Sequence, residues 1–189
     1  MEEVNYSLPT SVEVNGTEYK IQSDYRAALD ILAALSDNEL SNEDKAYAAL
    51  DIFYPAFSEM PVSDYREALQ QCFLFIDCGE MPNGTKKQAP LMSWSQDFRL
   101  IVAPVNRIAG GDVRALPYLH WWTFYSYYQE IGDCLFAQVV SVRDKKARGK
   151  SLDKQEKEFY RRNRDMVDLR TNYSDAEKNV LAAWGLKKE

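Results

Sequence analysis

Residues 118–128 read Tyr-Leu-His-Trp-Trp-Thr-Phe-Tyr-Ser-Tyr-Tyr, and no single face of a helix can hide all of them. The run holds two of the chain's four tryptophans and its only histidine. Its spacing from Pro117 to Ile131 predicts a helix whose aromatic side chains project in nearly every direction, so the helix belongs at a centre or an interface. Trp121, Tyr125, Tyr128 and Gly132 share one face, while Tyr118, Trp122 and Ser126 begin another. One face can enter the core and the other can offer Trp and Tyr, residue types enriched at binding hot spots.

A chain of 189 residues with 46% apolar content can bury one sizeable core around such a helix. A single domain over residues 1–189 is expected, with a possible subdivision into an acidic part at 1–79 and a second part at 91–189. The stretch between, Glu80 to Pro90, contains Pro82, Asn83-Gly84 and Lys86-Lys87 and reads as an exposed loop or hinge. The start, Met1-Glu2-Glu3-Val4-Asn5, lacks the basic and apolar regions of a signal peptide, and no run approaches a membrane span, so a cytoplasmic location is expected. Cys72, Cys78 and Cys134 have neither CxxC spacing nor an even count, which argues against disulfides and zinc and for small buried hydrophobes.

Local patterns predict a mainly α-helical bundle of about seven helices with a short N-terminal β-hairpin. Val12 to Ile21 alternates apolar and polar residues around Asn15-Gly16, a pair that tolerates the positive φ angles of a type I′ turn. Ser23 precedes a helix ending near Asp37, with Asp24 in its first turn. Ser41-Asn42-Glu43-Asp44 resembles a capping box with Asp in place of Glu, opening a helix that Pro55 must stop or kink. Ser63 is expected to cap a third helix closed by Gly79, and Ser93 a fourth, from Trp94 to Ile108, bent by Pro104 and ended by Gly110-Gly111. Leu135 to Val142 fits a strand or a helix; helical spacing of Leu135, Val139 and Val142 favours the helix. Ser151 then caps a charged helix through Leu169, and Ser174 a last one ending at Trp184-Gly185.

The chain offers no catalytic motif. His120 has no second histidine to share a metal and no Ser or Cys in a nucleophile elbow, so a structural or interface role is favoured. GxxxxGK[ST] and GxGxxG are missing, and Gly110-Gly111-Asp112 lacks an upstream strand for a phosphate loop. The chain reads as a protein that is not an enzyme and takes no cofactor.

Charge is distributed unevenly. The formal net charge is -6, yet the stretch from Arg143 to Arg164 holds ten Lys or Arg against four Asp or Glu. Nucleic acid is one conceivable partner, but Asp153, Glu156 and Glu158 are interleaved with the cations at helical spacing and neutralise part of them. A solvated face is favoured, then an acidic protein surface, including a second copy of the chain, with nucleic acid third.

Trp94-Ser95-Gln96-Asp97-Phe98-Arg99-Leu100-Ile101, a Gly-Asp-containing bend, and Leu119-His120-Trp121-Trp122-Thr123-Phe124 together resemble the bacteriophage gene-15-product family of long-tailed phages and prophages. Its members show an aspartate-bearing helix, a short link to an LHWW-x-F motif and then an arginine-bearing run. Ile131-Gly132-Asp133 through Val142-Arg143-Asp144-Lys145-Lys146 fits the last part, and the resemblance covers mainly residues 90 to 170. It implies a tail-assembly chaperone that keeps the tape-measure protein soluble until tail subunits surround it. The rivals are a structural virion or head-tail connector protein and a nucleic-acid binder acting through residues 143–164.

On the leading reading Trp121, Trp122, Tyr125 and Tyr128 are core or contact residues. Arg143, Lys145, Lys146, Arg161 and Arg162 would steer acidic partners.

Overall fold

The computed structural model describes residues 7–80 and 90–170. It shows the expected mainly helical architecture with an N-terminal hairpin, and eight α-helices lie among the described residues. Most of the loop expected at Glu80 to Pro90, and the last expected helix from Ser174, lie outside them.

Strands β1 (Ser11–Val14) and β2 (Thr17–Lys20) pair antiparallel with Val14 opposite Thr17. Asn15 and Gly16 take φ of 49° and 82°, the left-handed pair that an Asn-Gly hairpin turn requires. The hairpin is tied down by Asp64, whose carboxylate accepts from the Asn15 amide at 3.0 Å and the Tyr19 hydroxyl at 3.1 Å.

Helix α1 (Tyr25–Leu35) starts one residue later than Ser23 capping would give, because Asp24 is the cap: its carboxylate accepts from the Arg26 N–H. Ser41 caps α2 (Asn42–Phe53) as expected and Pro55 follows its end; the Asp44 carboxylate accepts from the Ser41 hydroxyl. Ser63 does not cap α3 (Tyr65–Ile76). It lies inside a 3₁₀ turn, Val62–Asp64, that runs directly into the helix. Gly79, at φ +85°, closes α3 by donating its N–H back to Leu74.

Ser93 caps α4 (Trp94–Ala109) and left-handed Gly110 ends it, with buried Pro104 leaving the Leu100 carbonyl without its usual helical donor. The aromatic helix α5 is shorter than predicted, Trp121–Gln129 rather than a span from Pro117. Tyr118, Leu119 and His120 lie ahead of the helix instead, where His120 forms an antiparallel bridge with Asp24. Leu135 to Val142 is helical, within α6 (Leu135–Ala147). Asp153, not Ser151, caps the charged helix, through a full capping box with Glu156. That helix is also split: α7 (Lys154–Arg162) ends at Asn163 and α8 (Arg164–Val167) turns away to bury Val167.

The main buried cluster runs from Val14 in the hairpin through Ile31, Phe53 and Phe75 to Ile101, Trp121 and Phe136, so it draws on both sides of the 80–90 stretch. A smaller cluster joins Val139 and Val142 of α6 to Val167.

Candidate functional site

The aromatic signature is first a device for closing helices. Trp121 donates its indole N–H to the Ile76 carbonyl at 2.9 Å, and Trp122 donates its own to the Phe75 carbonyl at 2.8 Å. These are the last carbonyls of α3, which have no partner within their helix. Adjacent tryptophans therefore cap one helix C-terminus from the first turn of another; beside them Gly79 serves the φ of +85° rather than space, since a Cβ there would make ordinary contact with the Trp122 ring at 3.6 Å.

The residues ahead of the pair splice this cap to α1. Leu119 accepts from the Tyr25 N–H and donates to the Asp24 carboxylate, while Trp121 donates its backbone N–H to Ser23. His120 is buried at 3% exposure. Its Nδ1 accepts from the Trp122 N–H, and its Nε2 lies 2.9 Å from the Pro9 carbonyl. A carbonyl can only accept, so Nε2 carries the proton and the ring is neutral. Burial holds its pKa below the ordinary value. His120 is thus a structural cap.

Trp121 is buried, and Trp122, Tyr125 and Tyr128 are half-buried. Trp94 of α4 packs edge-on to Trp121 at 5.9 Å and against Tyr128 at 4.9 Å, while Tyr25 stacks on Phe124 at 4.5 Å. The Tyr128 hydroxyl donates to the Met92 sulfur. Both aromatic faces meet this chain.

A second centre joins α4 to α6. Asp97 and Arg143, 0% and 6% exposed, form a two-pronged ion pair at 2.6 and 2.9 Å. Arg143 also donates to the carbonyls of Leu91, Met166 and Val167, which occupies all five of its N–H groups. Asp97 in turn accepts from the Ser93 N–H. Such a pair fixes geometry more than it adds stability, since both charges leave water. Arg143, expected to steer partners, is therefore an internal tie between α4, α6 and α8.

The other expected cations stay outside but are largely matched. Lys145 pairs with Glu156, and Lys146 with Asp168 while lying 3.8 Å from the centre of the Tyr160 ring. Arg161 and Arg162 both pair with Glu158. Sequence spacing placed the charges on helices without showing these partners.

The concave feature beside the aromatic centre is a groove of about 450 Å³ between α1 and α4, lined by Tyr25, Leu29, Ala33, Trp94 and Phe98, with Arg26 and Arg114 at its edge. Sequence reasoning missed it, although Leu29 and Ala33 fall four apart on one face of α1. Asp97 was missed as a site residue too; its signal is an acid in the buried row that continues through Ile101 and Val105. Burial pushes the thiols of Cys72 and Cys78 up to about 12 and about 11, so neither is a ready nucleophile near neutrality. Among the described residues no three His, Cys, Asp or Glu side chains converge as a metal site, and no helix is long and apolar enough to cross a membrane.

Residues 4–169 match the family described as Bacteriophage Gp15 protein, a span that takes in the hairpin and acidic helices as well as the aromatic signature. Neither the comparison with curated proteins nor that with solved structures gives a match.

Proposed function

The chain belongs to the Bacteriophage Gp15 protein family, and on that premise we propose that it is a non-enzymatic tail-assembly protein that holds the tape-measure protein before tail subunits enclose it. The observation that supports this reading is the open apolar groove between α1 and α4. Grooves of this kind take the apolar face of an amphipathic helix, with anchors spaced three and four residues apart. Two of its walls, Trp94 and Phe98, belong to the signature segment itself, and the Asp97–Arg143 pair between and behind them holds α4 in place. The groove residues make contact; the buried aromatics and ion pair set its shape.

Co-expression with the tape-measure protein encoded in the same phage tests the proposal. The expected result is that the tape-measure protein becomes soluble and co-purifies. If it stays insoluble and unbound, the chaperone reading is overturned.

A further inference from the structure

Away from the groove, three aromatic rings meet at the surface of the acidic helices. Tyr47 of α2 packs edge-on to Phe57 at 6.0 Å and to Tyr65 of α3 at 5.8 Å, and Phe57 and Tyr65 touch at 5.0 Å. Tyr47 is 47% exposed, and Val62, three residues before Tyr65, is 74% exposed. Apolar surface of this kind, gathered at one place, marks a contact region more often than scattered residues do.

The charge around it differs from that in the basic segment. Between Arg143 and Arg164, seven of the ten cations face a carboxylate. Residues 7–80 hold fourteen Asp or Glu against four Lys or Arg. Glu43 and Asp51 lie one turn either side of Tyr47 along α2, and Glu59 follows Phe57. All three are exposed, and none pairs with a cation among the described residues. Three exposed acids without a cation partner among the described residues therefore stand beside an open aromatic patch.

We propose that the Tyr47–Phe57–Tyr65 patch docks an amphipathic helix whose polar face carries lysine or arginine. Its apolar residues would cover the rings while its cations meet Glu43, Asp51 and Glu59, which adds encounter rate and selectivity to the apolar contact. The proposal rests on the reading that this protein holds a helical partner, and it names the chemistry of that partner.

Isothermal titration with a synthetic helical peptide, leucine at heptad spacing and lysine elsewhere, tests it on the full chain. The lysine peptide is expected to bind about tenfold or more tightly than a matched glutamate peptide, less so at high salt. Tyr47→Ala, and separately the triple change Glu43→Lys, Asp51→Lys, Glu59→Lys, should each weaken it several-fold while the variants remain folded, with helical content equal to wild type by circular dichroism. Equal binding of both peptides, or binding indifferent to both variants, overturns the proposal. Self-association lost on Tyr47→Ala would assign the patch to a second copy and overturn it as well. Tape-measure capture by wild type and both variants, with the lysine peptide bound equally by all three, overturns the patch alone; a tape-measure protein that is never captured, with the lysine peptide still bound here, overturns the chaperone reading alone.

Discussion

Asp97 and Arg143 face each other across α4 and α6 with both side chains out of water, joined by two hydrogen bonds at 2.6 and 2.9 Å. Removing one partner leaves a buried charge without its counterpart, which costs about 3–5 kcal/mol. Asp97→Ala is expected to lose that much in denaturant unfolding. Combining it with Arg143→Met should recover part of the loss, with a coupling in the range of about 0.5–3 kcal/mol. Additive losses would show that the two residues act independently.

The two tryptophans are predicted to differ. The Phe75 carbonyl taken by Trp122 also accepts from the Cys78 N–H, whereas among the described residues the Ile76 carbonyl taken by Trp121 has otherwise only the Cys78 thiol at 4.0 Å. Trp121→Phe should therefore cost more than Trp122→Phe. The orphaned carbonyl contributes about 1–3 kcal/mol, plus the smaller ring's lost packing. Equal costs in chemical denaturation would contradict the capping account.

His120 gives the stability a sign against pH. Its folded pKa lies below the ordinary value of 6.5 because burial disfavours the charged ring. The unfolded chain therefore takes up the proton first. Stability contributed by neutral His120 is complete above the ordinary value and falls as pH drops from there toward the folded value. Asp64 has the same sign in a lower window, below 3.8, because the Asn15 amide bonds its ionised form. His120→Asn should flatten the upper part of the curve. A wild-type curve already flat from about pH 7 to 5 would contradict this.

The matched cations of α7 should matter little to folding. Glu158→Gln unpairs Arg161 and Arg162, both about three-quarters exposed, and surface pairs of this kind contribute about 0–1 kcal/mol. Thermal melting of the variant is expected within a few degrees of wild type. A larger loss would mean that α7 depends on this pair.

What could be read from the sequence was mostly local. Asn15-Gly16, Ser41, Ser93, Gly79 and Gly110 each mark a turn or helix end through their own backbone chemistry, and the structure places them there. The misplaced boundaries depend on partners far along the chain. Leu119 stays outside the helix where it bonds Asp24 and Tyr25, and no periodicity within 118–128 contains that information. Arg143 looked like one cation in a basic run; its burial is decided by Asp97, 46 positions earlier. The groove needs α1 and α4 side by side. The aromatic run did show that 118–128 lies at the centre, but not that its tryptophans cap α3.

The central claim is that the groove between α1 and α4 holds a tape-measure helix, and capture by a groove variant tests it most directly. Ala33 is exposed in the groove wall, so Ala33→Glu places a charge on the apolar surface without disturbing the core. With unchanged melting, the variant should bind the co-expressed tape-measure protein at least about tenfold more weakly than wild type, about 1.4 kcal/mol. Capture by Ala33→Glu equal to wild type would contradict the account.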